Sequence, residues 1–182
     1  PAAAHQIAIN VASLCFMIPL GLAEATTVRV GHAVGSGDSL GIRRAALAGF
    51  AVMLGTQAVT ATALILGRHS VVTLYSRDVA VGTLATGLIA YAAAIQFPDG
   101  AQMLSNGALR GSKDTRRPML LAAVAYWGIG IPLGAGLALG AGLGPKGMWI
   151  GMIAGLSVAA VLLAARFVRV SANAPPKRSL VR

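Results

Sequence analysis

The sequence predicts an all-α, polytopic membrane protein with five transmembrane helices, and three observations predict it. Of 182 residues, 56% are hydrophobic and 11% charged, with a mean hydropathy of +0.74; a soluble domain carries about a quarter of its residues charged to cover its surface. The apolar residues gather into five stretches, each long enough for a hydrocarbon core that takes about 20 helical residues to cross. These stretches are rich in Ala, Leu and Gly and lack the polar/apolar alternation of a membrane barrel strand.

The first span runs from about Gln6 to Val28 and closes at Arg29. It carries Pro19, a site for a bend, and Gln6, Asn10 and Ser13 within an arc of about 60 degrees. A polar connection holding Gly35-Ser-Gly-Asp38 follows, with Ser39 placed to cap the next helix. The second span, Ala45 to Leu66, groups Thr56, Gln57 and Thr60 within about 100 degrees. Both polar arcs fit hydrogen bonding to a neighbouring helix, and both also fit the wall of a water-filled cavity. The third span is Val79 to Leu104. After it, Arg110-Gly-Ser-Lys-Asp-Thr-Arg-Arg-Pro118 ends on a proline suited to the first turn of a fourth helix, Pro118 to Leu139. A short link, Ala141 to Lys146, leads to the fifth span, Gly147 to Phe167. Gly130 with Gly134, Gly136 with Gly140, and Gly147 with Gly151 and Gly155 are small-xxx-small pairs that let helices approach closely. Residues 171–182, with two prolines and no apolar periodicity, read as a disordered tail beyond a membrane unit of residues 1–170.

The net charge of +10 is explained by where the basic residues sit. Arg29, Arg43, Arg44, the Arg110–Arg117 connection, Arg166, Arg169 and the C-terminal tail all fall on one side, whereas Arg68, Arg77 and Lys146 fall on the other. Positive flanks are retained in the cytoplasm, so the C-terminus is expected inside, in the bacterial inner (plasma) membrane, and the N-terminus outside. An outside N-terminus with no leader ahead of it leads to the expectation that a preceding span belongs to a larger protein. Nucleic acid is excluded as a partner, since the charge-rich surface that such binding needs is absent; the bilayer is the partner expected. Cys15 stands alone in an apolar run, and no zinc spacing, Walker loop or His-Glu-x-x-His pattern occurs. Neither enzyme chemistry nor an organic cofactor is expected.

Polar side chains in hydrocarbon are costly, which makes the third span the informative one. Asp99 lies 11 residues before Arg110, which at about 1.5 Å per residue sets it about 16 Å from the basic border, near the bilayer centre. Gln96, Asp99, Gln102 and Asn106 share an arc of about 120 degrees, with Tyr91 beside it. Pro98 removes a backbone donor and clashes with the carbonyl of Ala94, so a kink or an opened turn is expected there, loosened further by Gly100. A broken helix with a carboxylate at its break is a common way to build an ion or proton site in a membrane. Asp99 is therefore the candidate site for a cation or a proton, the alternative being that it bonds a freed amide or a neighbouring helix; Pro98 and Gly100 are the candidate hinge, and Gln6, Asn10, Tyr91, Gln96, Gln102 and Asn106 the candidate cavity or substrate path. Glu24, near the end of its span and five residues before Arg29, has water or a basic partner within reach, and an interfacial ion pair is expected.

Three stretches carry a family resemblance. Ala3-Ala-His-Gln-Ile-Ala-Ile-Asn10 with Thr27-Val-Arg-Val-Gly-His-Ala-Val-Gly35 resembles the start of the second lobe of multidrug and toxic compound extrusion (MATE) transporters. Gly107-Ala-Leu-Arg-Gly-Ser-Lys-Asp-Thr115 resembles the segment after that family's tenth span, and Lys146-Gly-Met-Trp-Ile-Gly151 its twelfth. The resemblance implies that the five spans are the eighth to twelfth of twelve, forming most of one six-helix lobe. It implies antiport, with small amphipathic, often cationic compounds leaving as sodium ions or protons enter. The N-terminal lobe and the seventh span would be the missing partners. In some members an Asp of the tenth span binds the coupling cation or proton, and Asp99 matches it; one turn earlier, where some carry Tyr, this chain has Ile95. Two rivals make different demands. A lipid-linked precursor flippase calls for embedded basic residues, and none lies away from the span ends; a membrane scaffold would tolerate loss of Asp99.

Overall fold

The computed structural model of the protein describes residues 2–75 and 79–173. They form five helical rods: α1 (Ala2–Gly35), α2 (Ser39–Tyr75), α3 (Val79–Gly111), α4 (Arg116–Gly140) and α5 (Pro145–Ala172). Each expected span lies inside one rod, and the rods overrun the spans at most ends. The overrun has a simple cause. A charge such as Arg43 or Arg44 ends the stretch that lipid tolerates but not the helix, because Arg is a good helix former in water.

Four rods are long and apolar enough to cross a membrane by length and composition, within Ile9–Gly35, Ser39–Thr73, Arg116–Gly140 and Pro145–Ala172. The described part of α3 is diluted by Gln96, Asp99, Gln102, Ser105 and Asn106. Those residues are sheltered by position, since α3 packs against α1, α2 and α5 at once. Two apolar clusters occupy opposite ends of the bundle. One joins Leu88, Ile89 and Ala92 of α3 to Val11 of α1, Leu64 of α2 and Trp149 of α5. The other joins Leu109 of α3 to Val30 of α1, Ile42 of α2, and Leu163 and Phe167 of α5. The polar residues of α3 lie between the two, at mid-height.

Lipid tails are as apolar as Leu, so the helices are held by close packing and interhelical hydrogen bonds rather than by expulsion from water. Glycine provides the approach. A Cβ at Gly107 would stand 2.5 Å from the carbonyl oxygen of Ala23, and the hydroxyl of Thr27 lies 2.9 Å from the carbonyl of Gly107, joining α1 to α3. A Cβ at Gly151 would stand 2.5 Å from the backbone nitrogen of Gly134 and 2.6 Å from the carbonyl oxygen of Gly130, which locks α5 on α4. The expected pair Gly136 and Gly140 packs on nothing; both face open space.

The basic end refines or corrects the sequence expectation in three details. The ion pair expected of Glu24 is made across helices, with Arg110 of α3 at 2.6 Å rather than with its sequence neighbour Arg29; the close approach of α1 and α3 brings Arg110 to it. Asp38 rather than Ser39 caps α2, its Oδ1 accepting the amide of Gly41 at 2.9 Å, since the tight turn after Gly35 aims that carboxylate at the helix start. α5 continues to Ala172, so Ser171 and Ala172 are helical and the tail cannot begin at 171. The remainder of the expected tail, 174–182, lies outside the described residues, as does the stretch 76–78 with Arg77. Asp114 of the α3–α4 connection accepts a hydrogen bond from Nε of Arg166 at 2.8 Å, tying that connection to α5.

The winding is irregular in α4 rather than α3. α3 is helical without interruption from Val79 to Gly111, so the opened turn expected at Pro98 is not seen. In α4, regular turns at Arg116–Ala125 and Ile131–Ala135 alternate with π-helical turns at Tyr126–Gly130 and Gly136–Gly140. Pro132 has no amide to offer the carbonyl of Gly128 and its ring crowds that carbonyl; a widened turn just ahead relieves both.

Candidate functional site

A cavity of about 590 Å³ opens at mid-height, walled by α1, α3, α4 and α5, with Gln57 of α2 at its back. α3 contributes Ile95, Gln96 and Asp99, which share one face because residues three and four apart in a helix lie above one another. α1 brings Ser13 and Met17, α4 brings Tyr126, and α5 brings Trp149 and Met152. Most of the wall is apolar or soft sulfur. Asp99 is half-buried and is the one carboxylate on that wall among the described residues.

Its setting is built by the polar arc of α2. Gln57, 2% exposed, donates from Nε2 to the backbone carbonyl of Gln96 at 2.7 Å. The hydroxyl of Thr60 lies 2.7 Å from Oε1 of Gln96 and 3.0 Å from the carbonyl of Thr56. The second arc is thus a helix–helix seam, with Gln57 reaching the cavity as well. These bonds leave Nε2 of Gln96 buried with no hydrogen-bond partner among the described residues. Such an atom carries an unmet cost of about 1–3 kcal/mol. On the far side, Tyr126 donates its hydroxyl hydrogen to Oε1 of Gln102. The π-helical turn that begins at Tyr126 sets it on the cavity wall.

Of the residues singled out from the sequence, Asp99 and Gln96 meet on this wall. Gln102 is turned to Tyr126, and Tyr91 packs beside the apolar cluster of Leu88. Asn106 is half-buried and off the wall. Gln6 and Asn10 hydrogen-bond each other at 3.1 Å and are exposed, also off the wall, although Ser13 from the same arc is on it. Gly100 is buried against Met53 and Gln57, so its lack of a side chain serves packing of α3 on α2 in this arrangement. Sequence reasoning missed Tyr126 and Trp149 as wall residues and singled out no individual methionine, although methionine is among the residue types expected to hold an amphipathic substrate. Tyr126 had a faint signal, standing just before the Gly-rich, Pro-interrupted part of α4.

Among the described residues no three of His, Cys, Asp and Glu come together as a metal cluster. Asp99 has no ion-pair partner among them either, the two ion pairs being those of Glu24 and Asp114. A lone carboxylate in a largely apolar cavity, with side-chain oxygens of Ser13, Gln57 and Tyr126 in the same wall, can take up one proton or one small cation. Among the described residues no basic side chain lines the wall.

Comparison with known proteins agrees with this architecture. The chain is 64% identical over 170 residues to a protein of Xanthomonas campestris pv. campestris named "Probable multidrug resistance protein NorM", covering 93% of this chain and 37% of that protein. It is 46% identical to "Multidrug resistance protein NorM" of Burkholderia vietnamiensis, covering 91% and 37%. It is 44% identical to "Multidrug resistance protein PmpM" of Pseudomonas aeruginosa, covering 92% and 36%. The chain thus spans less than two fifths of the length of these relatives. Its fold is that of the crystal structure of the eukaryotic MATE transporter AtDTX14, with a TM-score of 0.86 at 22% identity, covering 95% of this chain and 40% of that one. A family model described as MatE matches residues 1–135, and the chain belongs to that family, the multidrug and toxic compound extrusion transporters.

Proposed function

We propose that this chain forms five of the six helices in the C-terminal lobe of a secondary exporter. In this reading the transporter expels amphipathic, often cationic compounds as sodium ions or protons enter, and Asp99 is the coupling carboxylate. The observation that carries the reading is Asp99 itself, without an ion-pair partner among the described residues, on the wall of a mid-height cavity that is otherwise largely apolar and carries Met17 and Met152. Uptake of a proton or a cation there would bias the balance between outward-open and inward-open arrangements by its differential affinity for them. Drug and cation would use the same wall, so the arrival of one favours release of the other. The basic end of the bundle would face the cytoplasm of the bacterial inner membrane, with Pro98 and Gly100 as the point of α3 that bends when the cavity changes shape; the unbroken α3 seen here would be one of its two forms. The names of the relatives, multidrug resistance proteins, support export as the direction.

The test uses the full-length transporter reconstituted in liposomes with a fluorescent organic cation inside. Wild type is expected to export under an imposed sodium or proton gradient, whichever couples, and Asp99→Asn to lose at least 90% of gradient-driven export. Undiminished export by Asp99→Asn would refute the coupling role. Export of a lipid-linked anion in place of the cation would favour the flippase reading instead.

A further inference from the structure

A second pair of hollows lies at the basic end, where Arg117, Arg166 and Arg169 form a wall shared by both. On one side is a polar hollow of about 530 Å³ between the helix ends, reaching Gly37, Ser112 and Asn173. On the other is an apolar groove of about 370 Å³ between α4 and α5, floored by Leu120, Leu121, Val124, Leu162 and Ala165. Arg166 is neutralised by Asp114 at 2.8 Å. Arg117 and Arg169 are exposed and carry no ion pair among the described residues. The site therefore joins uncompensated positive charge to a hydrocarbon-lined slot running toward the membrane centre.

We propose that this groove binds one anionic phospholipid of the leaflet at the basic end, its phosphate between Arg117 and Arg169 and an acyl chain along the α4–α5 groove. The inference goes beyond the export reading and does not depend on it; it takes the chain to be membrane-embedded and the α4–α5 groove to stay open to lipid beside the N-terminal lobe and seventh span of the whole transporter. Charge selects the occupant. A zwitterionic lipid offers its phosphate with a compensating cation attached, whereas basic pockets between transmembrane helices favour anionic headgroups. The stretch Pro175-Pro-Lys-Arg-Ser-Leu-Val-Arg182 is a poor competitor, because it adds basic residues and no acidic ones. Shape agrees with charge. Leu120 and Val124 are 59% and 63% exposed, a surface that an acyl chain covers at no desolvation cost. Arg117 and Arg169, on long flexible stems, reach the headgroup level from just inside the helix ends.

The experiment is lipid titration of the purified full-length transporter by native mass spectrometry, with phosphatidylglycerol and phosphatidylcholine in parallel and inorganic phosphate as a third probe. Wild type is expected to retain one phosphatidylglycerol in preference to phosphatidylcholine. The double substitution Arg117→Gln with Arg169→Gln is expected to weaken that lipid roughly 25-fold, at about fivefold for each arginine. Arg68→Gln, at the other end of the bundle, is expected to change nothing. Leu162→Trp fills the groove without touching a charge and is expected to displace the lipid, so the proposal stays exposed even if the double variant fails to fold. Equal retention of the two lipids, full retention in Leu162→Trp, or displacement of the lipid by millimolar inorganic phosphate would each overturn the proposal.

Discussion

The basic end of the bundle and its mid-height cavity treat charge in opposite ways. At the basic end Glu24 meets Arg110 and Asp114 meets Arg166, each pair bridging two parts of the chain, while Gly107 seats α3 directly on the backbone of α1. At mid-height Asp99 has no such partner, Gln96 keeps an unpartnered nitrogen, and the wall of α4 is a widened turn. One region spends its polar groups on holding helices together, and the other leaves them uncommitted. A structure that must change shape around a ligand needs both. A bundle without the first would not keep its register, and one without the second would have nothing left for a ligand to satisfy.

The sharpest way to break the comparison is through the backbone contacts. Gly151→Leu would force a side chain into the backbone of Gly130 and Gly134, and the α4–α5 contact has no flexible side chain there to give way. We expect a loss of about 3 kcal/mol or more, seen as a collapse in folded yield and in the thermal unfolding midpoint of the full-length transporter. Gly136→Leu, which faces open space, is expected to stay within about 0.5 kcal/mol of wild type. Equal damage from the two would mean that the α4–α5 seam lies elsewhere.

The ion pairs come next. Arg166 and Asp114 are 25% and 17% exposed, against 39% and 55% for Arg110 and Glu24. Asp114→Asn should cost about 1.5–3 kcal/mol, because a partly buried charged hydrogen bond is lost. Glu24→Gln should cost about 0.5 kcal/mol, in the range of solvent-screened pairs. High salt should erase most of the Glu24 effect and little of the Asp114 effect. Unfolding midpoints at low and high salt check both, and a reversed order would place the lock at the α1–α3 pair.

How much of this was legible in the sequence follows from the physics of each feature. Five helices were readable because lipid imposes a length and a composition on anything that crosses it. Asp99 was readable for the same reason, an acid far from any basic border. The partner of Glu24 was not, since Arg110 is distant in sequence and meets it only through the glycine contact of α3 with α1. Helical arcs gave the direction of Gln96 but not of Gln102, because which neighbour lies at each azimuth is a property of packing. The widened turn of α4 could be suspected from Pro132 among glycines, whereas of the two outcomes expected at Pro98, a kink or an opened turn, the opened turn does not occur. In α3 the neighbouring helices on three sides keep the rod continuous despite the missing amide.

A small effect at Asp99 is the most telling. Asp99→Asn, the substitution expected to abolish gradient-driven export, should leave thermal stability within about 1 kcal/mol of wild type. Asp99 holds no ion pair to lose, and an amide in its place removes an uncompensated charge from a largely apolar cavity, an effect that offsets any lost solvation. The same measurement, repeated with the coupling cation present, adds a second readout. Bound cation stabilises the folded state by RT ln(1 + [L]/Kd), about 2.7 kcal/mol at a hundredfold excess over Kd. If sodium is the ion, wild type should melt higher in sodium than in an equal concentration of choline, and Asp99→Asn should melt alike in both. A destabilisation by Asp99→Asn as large as that of Asp114→Asn would show that Asp99 is committed to holding helices together, and the contrast between the two ends of the bundle would fail.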